Sequence, residues 1–375
     1  MFHVKQETPA ALGFLDEALA QARQQDLLRD RPAPREPRQA CFCSNDYLAL
    51  AAEVAPPAPS GAGASRLVSG DRPLHARLEA AAAELVGQPA SLVFTSGYAA
   101  NVGTLSALAG PEDLIVSDVL NHASIIDGAR LSRATVQVVP HLDVGAVEAA
   151  LRSRPRRRAF VVTESYFSMD ADTPDLAALR RVCDAHDAAL VVDEAHALGV
   201  LGPEGRGLCA DAGVRADVLV GTFGKAFGAG GAFVAGCPSL VTWLWNRARS
   251  FVFSTGLSPA VAAAALQGVA RARSEPERRH RARNAASRLR AGLAQLGVSP
   301  AGSGHIVPWI VGRAAPALRL ASRLQELGMD VRAIRPPSVP EGTARLRLTV
   351  TAAHTPAAID RALGSIGKAL ASGLE

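Results

Sequence analysis

The stretch from residue 189 to residue 231 constrains the fold most, because two apolar runs in it each end in reactive side chains. The first run leads to Asp193 and His196, and the second leads to Thr222 and Lys225. Short apolar runs of this kind are typical of buried strands in a parallel sheet. Residues just after the carboxyl ends of such strands line the ligand crevice. The stretch therefore predicts that a carboxylate, an imidazole, a hydroxyl and an amine meet at one edge of a sheet.

Lys225 carries the most chemical information in this stretch. Three of the 40 basic residues are lysines, and Lys225 is the one that lies away from the chain ends, in a glycine-rich turn. Arginine stays charged in proteins, whereas lysine loses its proton once it is desolvated. The sequence therefore favours an amine nucleophile that forms a Schiff base, with an ordinary turn lysine as the alternative.

An aldehyde cofactor such as pyridoxal 5′-phosphate (PLP) would explain the neighbours of this lysine. PLP needs a lysine for the imine and an acid that faces its ring nitrogen. Asp193 supplies such an acid at the end of the preceding strand, and His196 would lie close to the same site.

Strand-like and helix-like segments alternate along most of the chain, which predicts a parallel sheet covered by helices on both faces. The predicted strands of this part are 91–95, 114–117, 136–140, 159–164, 190–192 and 218–221, and the predicted helices are 8–29, 73–86, 124–131, 144–152 and 176–185, with another that opens at 96–101. After residue 274 we expect a second, smaller α/β domain with helices 277–296, 317–327 and 356–370 and strands 306–311, 330–334 and 344–351. We assign 1–48 to an N-terminal helix and arm, 49–275 to the large domain and 276–375 to the small domain.

Three further features at predicted strand ends have two interpretations each. The small residues of 96–101 leave backbone N–H groups free to hold a phosphate at a helix N-terminus, although a simple tight turn would look the same. His122 could stack on an aromatic cofactor or serve as an ordinary turn histidine. Ser168 could donate a hydrogen bond to a ligand or cap a helix.

Composition excludes several classes of protein. The chain of 375 residues is 48% hydrophobic and 20% charged, which is ordinary for a globular α/β protein. Its net charge of +5 comes from scattered basic residues, so we expect no nucleic-acid partner. The five cysteines contain no Cys-x-x-Cys pair, so the sequence predicts neither a disulfide framework nor a metal site. We therefore expect reduced thiols, which favour a cytoplasmic location. The sequence has neither a signal-peptide core nor a run of ~18 apolar residues, so we expect no membrane association.

Six segments taken together resemble one family, the α-oxoamine synthases. They are Asn-Asp-Tyr-Leu (45–48), Thr-Ser-Gly-Tyr-Ala-Ala-Asn (95–101), His-Ala-Ser (122–124), Glu-Ser-Tyr-Phe-Ser-Met-Asp (164–170), Val-Asp-Glu-Ala-His (192–196) and Thr-Phe-Gly-Lys (222–225). The resemblance extends in order over nearly the whole chain. It implies a PLP-dependent transferase of fold type I, similar to aspartate aminotransferase, with a mostly parallel central sheet and a smaller C-terminal α/β domain. Segments 307–312 and 334–349 most resemble the family member that condenses L-alanine with a pimeloyl thioester in biotin biosynthesis, releasing CO2 and the free thiol.

The resemblance also implies roles for individual residues. Lys225 would form the Schiff base and later move the substrate's α-proton, Asp193 would pair with the ring nitrogen, and His122 would stack on the ring. The expected cofactor-binding residues are Gly97, Tyr98, His122, Ser168, Asp193, His196, Thr222, Lys225 and Thr255, and the expected substrate-binding residues are Arg29, Asn45, His122, Arg335 and Ser338. Gly97, Tyr98 and Thr222 would hold the phosphate, and Arg335 would hold a substrate carboxylate. His196 and Ser168 would face the ring's phenolic oxygen, and His122 would also be a hydrogen-bond donor to the thioester carbonyl.

Partners and alternatives follow from the same resemblance. It implies a homodimer with shared active sites, in which Thr255 reaches across the interface. One alternative keeps the chemistry but changes the substrates, to glycine with acetyl-CoA or serine with a long acyl-CoA. A second is a non-catalytic partner subunit of the same fold, which we would expect to lack Lys225.

Overall fold

Ten strands form two sheets in the part of the chain that the computed structural model describes, residues 14–28, 40–53, 58–154 and 158–371. The strands are β1 (Ala90–Phe94), β2 (Leu114–Asp118), β3 (Thr135–Val139), β4 (Ala159–Glu164), β5 (Ala189–Asp193), β6 (Val218–Thr222), β7 (Ala232–Gly236), β8 (Ile306–Gly312), β9 (Ala333–Ile334) and β10 (Ala344–Thr349). The α-helices are α1 (Phe14–Gln24), α2 (Pro73–Val86), α3 (Gly97–Leu108), α4 (Ala123–Ser132), α5 (Val144–Arg152), α6 (Leu176–Ala185), α7 (Leu208–Asp211), α8 (Pro238–Arg247), α9 (Arg249–Val252), α10 (Pro259–Ser274), α11 (Pro276–Gln295), α12 (Ala314–Glu326) and α13 (Pro356–Ala371). A short π-helix covers Arg66–Gly70 and a 3₁₀ turn covers Pro203–Gly205.

The seven-stranded sheet has the order β1-β7-β6-β5-β4-β2-β3. Neighbours from β6 through β5, β4 and β2 to β3 are parallel, and β7 is antiparallel to both β6 and β1. Every residue of β4 and β6 is buried, as expected for strands covered on both faces. The mostly parallel sheet confirms the sequence prediction, but β7 was not predicted.

Three of the predicted helices, α2, α5 and α6, have the predicted bounds because their ends are encoded locally. Asp143 accepts a hydrogen bond from the amide of Ala146 at the start of α5, and Asp175 does the same for Ala178 at the start of α6, each at 2.8 Å. Such side-chain caps satisfy amide groups that have no partner within the helix. At the other end of α2, a glycine at position 87 adopts the left-handed conformation (φ 66°).

The first helix is shorter than the sequence predicted. It ends at Gln24 rather than at residue 29, because Asp26 takes a positive φ of 57° and the amides of Leu27 and Leu28 both bind the carbonyl oxygen of Ala22. Residues 1–13 and 29–39 lie outside the described part of the chain, so the expectation for Arg29 falls there as well.

The smaller sheet is antiparallel, with β10 between β8 and β9. The predicted strand 330–334 is wrong in extent, because only Ala333 and Ile334 pair with β10. Asp330 instead pairs with the N-terminal segment: the amide of Phe42 donates to its carbonyl oxygen at 2.8 Å. Phe42 is fully buried in the hydrophobic core of this smaller sheet, which joins the N-terminal segment to it. The domain limits remain a prediction.

Four parallel strands of the large sheet end in polar residues: Asp118 on β2, Glu164 on β4, Asp193 on β5 and Thr222 on β6. Because these strands run in one direction, their carboxyl ends lie along one edge. Among the described helices, none combines the length and apolar character that crossing a membrane requires.

Candidate active site

The centre of this edge is a hydrogen-bonded relay that begins at Lys225. The Nζ atom of Lys225 lies 2.7 Å from Nε2 of His196, and Nδ1 of His196 lies 2.8 Å from the hydroxyl of Tyr47. The Tyr47 hydroxyl donates its one proton to Oδ1 of Asn45 at 3.0 Å. His196 must then donate from Nδ1 to Tyr47, which leaves Nε2 as an acceptor for the amine. The relay therefore fixes the orientation of the imidazole next to Lys225.

The protonation of these groups follows from burial and neighbouring charge. Desolvation lowers the pKa of Lys225 to about 8, although the nearby carboxylates of Asp193 and Glu164 oppose this shift. Burial, followed by the positive charge of Lys225, lowers the pKa of His196 well below its ordinary value. His196 is therefore a neutral acceptor, and Lys225 releases its proton more readily than an exposed lysine does.

Asp193 is held by two neighbouring groups. The Nδ2 group of Asn101 donates to Asp193 Oδ2 at 2.7 Å, and the amide of Ala195 donates to Oδ1 at 2.9 Å. Asn101 also donates to the hydroxyl of Ser124 at 2.9 Å, and that hydroxyl lies 2.7 Å from Nδ1 of His122. The strand-end carboxylate and the predicted stacking histidine thus belong to one hydrogen-bonded network.

Arg347 is the main residue that sequence reasoning missed. It lies on β10 of the smaller sheet, yet its guanidinium donates to Oδ1 of Asn45 at 3.0 Å, to the hydroxyl of Tyr47 at 3.3 Å and to the carbonyl oxygen of Ser168 at 2.5 Å. Its positive charge helps to lower the pKa of Lys225. The available signal was the alternation Arg-Leu-Arg-Leu at 345–348, which places two arginines on the same face of a buried strand.

Glu164 is a second residue without a predicted role. Burial, followed by the charge of Asp193, raises the pKa of the Glu164 carboxyl to about 8. Glu164 therefore holds its proton more readily than an exposed glutamate does.

The N-terminus of α3 faces the end of β6. Ser96 caps the helix by accepting from the amide of Ala99 at 3.1 Å, and Gly97 and Tyr98 occupy its first turn, where amides have no intrahelical acceptor. A Cβ atom added at Gly97 would lie 4.0 Å from Cβ of Thr222. The structure thus brings the three predicted phosphate-binding positions together. The phenol of Tyr98 is half-exposed and donates a hydrogen bond to Asp127.

A cavity of about 560 Å³ opens beside these groups. It is lined by His122, Glu164 and Ser168 on the sheet side and by the turn at 336–341, which includes Ser338, on the other. Arg335, next to that turn, donates to the carbonyl oxygens of Asp26 and Leu28 and is thereby held against the N-terminal segment.

Thr255 is not among the described residues that line this cavity within its own chain. It forms an antiparallel bridge with Ser65 and borders a small pocket together with Arg66 and Thr95. Among the described residues, Lys225 bonds to His196 through its amine, and Thr255 pairs with Ser65.

The residues present fit PLP. The amine of lowered pKa suits the aldehyde of that cofactor, and the acid on the adjacent strand suits its ring nitrogen. The histidine beside that acid suits the face of the ring, and the helix N-terminus that begins with glycine suits the phosphate.

Comparison with known proteins agrees with this geometry. The sequence profile of the family "Aminotransferase class I and II" matches residues 38–366. The chain is 48% identical over 341 residues to an 8-amino-7-oxononanoate synthase of Anaeromyxobacter dehalogenans (strain 2CP-1 / ATCC BAA-258), covering 88% of this chain and 86% of the relative. It is 44% identical over 382 residues to an 8-amino-7-oxononanoate synthase of Polaromonas sp. (strain JS666 / ATCC BAA-500), covering 95% and 93%.

Solved structures give the same fold. A serine palmitoyltransferase variant from S. paucimobilis with a bound PLP–myriocin aldimine superimposes with a TM-score of 0.89 at 26% identity, covering 98% of this chain and 99% of that one. An 8-amino-7-oxononanoate synthase from Francisella tularensis superimposes with a TM-score of 0.73 at 26% identity, covering 88% and 98%.

Proposed function

The chain belongs to the aminotransferase class I and II family of PLP-dependent enzymes, and on this premise we propose that it condenses L-alanine with a pimeloyl thioester. The products are 8-amino-7-oxononanoate, CO2 and the free thiol, a step of biotin biosynthesis. The observation that carries the proposal is the Lys225 amine, of lowered pKa, placed near the buried guanidinium of Arg347. An amino-acid substrate has an amine for the position of Lys225 and a carboxylate for the position of Arg347. The relatives that share nearly half of their residues with the chain carry the name of this synthase.

Six residues would hold the cofactor. Lys225 would bind its aldehyde carbon, Asp193 would face its ring nitrogen and His122 would cover one face of its ring. The first-turn amides of α3, at Gly97 and Tyr98, would hold its phosphate, with the hydroxyl of Thr222 beside them. When bound, PLP supplies an electron-poor ring that stabilises negative charge on the substrate's α-carbon.

Lys225 is the group that would move the proton. Once the substrate amine has taken its place, the free Nζ atom can accept the α-proton of L-alanine, because an amine with a pKa of about 8 exchanges protons readily near neutral pH. His196 accepts a hydrogen bond from Nζ and would hold the amine on the substrate side. The same amine would return a proton to the product.

Arg347 would hold the substrate carboxylate. A guanidinium binds a carboxylate with two parallel hydrogen bonds, and Asn45 and Tyr47 already fix its plane. The pimeloyl chain would occupy the cavity that runs from His122 to the turn bearing Ser338, with the distal carboxylate near Arg335. His122 would donate a hydrogen bond to the thioester carbonyl.

We propose a homodimer in which Thr255 completes the partner's site. In support, the surface around Thr255 exposes apolar side chains: Val68 is 79% exposed and Phe253 is 71% exposed. A second copy of this chain would cover these residues. Light scattering coupled to gel filtration tests this assignment, and a monomeric, active enzyme would contradict it. We also propose a cytoplasmic location, because the cysteines are free thiols.

Product analysis by mass spectrometry tests the reaction. The PLP-loaded chain is incubated with pimeloyl-CoA and L-alanine labelled at the carboxyl carbon, and we expect labelled CO2 and unlabelled 8-amino-7-oxononanoate. Parallel reactions use glycine with acetyl-CoA and L-serine with palmitoyl-CoA. Faster turnover in either parallel reaction would assign the chain to a sibling activity. Lys225→Ala serves as the inactive control, and Lys368→Ala, at an exposed lysine of α13, serves as the matched active one.

A further inference from the structure

Three side chains outside the active site form a cluster of metal-ligating groups. Cys41 and Cys43 come from the N-terminal segment and Asp330 from the turn before β9, and one ligand atom of each lies within 4.8 Å of the others. We propose that this cluster binds a divalent transition-metal cation, with Zn²⁺ as the best match. The sequence offered no such site, because the two cysteines are separated by one residue and the carboxylate is far away along the chain.

The backbone around the cluster holds both thiols on one side. The amide of Phe42 donates to the carbonyl oxygen of Asp330 at 2.8 Å, and the carbonyl oxygen of Phe42 accepts from the amide of Thr349 at 2.9 Å. The Phe42 ring is fully buried and stacks on His354 with ring centroids 4.4 Å apart. Since alternate residues of an extended segment point to opposite sides, Cys41 and Cys43 both point away from this anchored ring.

The separation of the two sulfur atoms matches a metal site. The Sγ atoms lie 3.7 Å apart. In a tetrahedral zinc site with Zn–S bonds of about 2.3 Å, two thiolates lie about 3.8 Å from each other. A disulfide would need about 2.05 Å. The two sulfur atoms therefore have the separation expected of two ligands on one cation.

Charge and exposure agree with this assignment. Two thiolates and one carboxylate carry three negative charges, of which a divalent cation balances two. Arg332 supplies one further positive charge, with its Nη2 atom 3.5 Å from Oδ1 of Asp330. Both cysteines and Asp330 are partly exposed, so water can reach a fourth coordination position.

Metal binding would also tie the two ends of the chain together near the active site. Cys43 lies two residues before Asn45, which holds Arg347, and Asp330 belongs to the part of the chain that forms the smaller sheet. A cation that binds the folded chain and not the unfolded one stabilises the fold, so Zn²⁺ should raise the melting temperature.

Equilibrium dialysis with elemental analysis tests the proposal on the full PLP-loaded chain. The protein is kept reduced with a thiol-free phosphine and dialysed against Zn²⁺, and we expect one Zn²⁺ per chain. X-ray absorption at the zinc edge should show two sulfur ligands, the remainder being oxygen or nitrogen. We expect Cys43→Ser to weaken binding by at least about tenfold, by analogy with the loss of supporting groups around metal sites. Cys237→Ser, at an exposed cysteine elsewhere, should bind as the wild type does.

Either of two results with the wild-type chain would overturn the proposal: less than one Zn²⁺ per chain at saturation, or zinc coordination without sulfur. Unchanged affinity in both Cys43→Ser and Asp330→Asn would do the same. The Asp330 variant changes only the side chain, because the pairing of this residue with Phe42 uses backbone groups. Circular dichroism and the cofactor's visible absorption check that each variant is folded. None of these readouts depends on the substrates, so the metal site and the proposed reaction can fail separately.

Discussion

Replacement of Arg347 by lysine tests the carboxylate-binding role most directly. Arg347 is 7% exposed and fixed by Asn45, Tyr47 and the carbonyl oxygen of Ser168, so its guanidinium plane is set before any substrate arrives. Lysine keeps the positive charge but cannot form two parallel hydrogen bonds with a carboxylate. The substitution therefore separates bidentate binding from simple charge attraction.

The size of the effect follows from the bond that is lost. A hydrogen bond to a charged group contributes about 1.5–3 kcal/mol, so losing one should raise KM for L-alanine by about 10- to 150-fold. The KM for the pimeloyl thioester should change much less, because that substrate lies in the cavity beside His122 and Ser338. Steady-state kinetics with each substrate varied in turn measures both values.

Arg345→Lys provides the matched control. Arg345 lies two residues earlier on β10, is also buried and donates to Asp170 and the carbonyl oxygen of Met169. Its replacement should lower the free energy of unfolding but leave KM for L-alanine near the wild-type value. An equal rise of KM in both variants, or no rise in Arg347→Lys, would refute the assignment of the carboxylate to Arg347.

Three further predictions concern activity, pH dependence and backbone geometry. Lys225→Ala should abolish turnover and change the visible absorption of the bound cofactor while far-ultraviolet circular dichroism stays unchanged; activity near the wild-type level would contradict its role. His141, between two carboxylates that raise its pKa to about 10, should stabilise the fold fully below about pH 6.5 and progressively less up to pH 10. The free energy of unfolding, measured with denaturant, should therefore be lower in His141→Gln than in the wild type, by an amount that shrinks as pH rises. A difference that does not depend on pH would contradict this effect of the His141 charge. Gly207→Ala should lower the free energy of unfolding by at least about 2 kcal/mol, because φ is 90° and the added Cβ would overlap the buried Glu194 carboxylate. Gly213→Ala, at φ 63° with open space around it, should cost about 1 kcal/mol, and equal losses in the two variants would count against the steric argument.

The sequence by itself determined the local parts of this protein. Helix ends encoded by Asp143 and Asp175 match the structure to the residue, since a cap needs only amides a few positions away. Apolar runs that end in Asp193 and Lys225 sufficed to predict a common site, because parallel strands deliver their carboxyl ends to one edge.

Only the tertiary structure decided which distant side chains join that site. Arg347 reaches Asn45 and Tyr47 because the smaller sheet packs its β10 strand beside the N-terminal segment, and no local pattern encodes that contact. The same packing brings Asp330 to Cys41. Asp330 pairs with Cys41 through its backbone, in place of the strand that the sequence predicted at 330–334. Short-range preferences act over a few residues, whereas these contacts depend on how two separate cores meet, and that is a property of the whole folded chain.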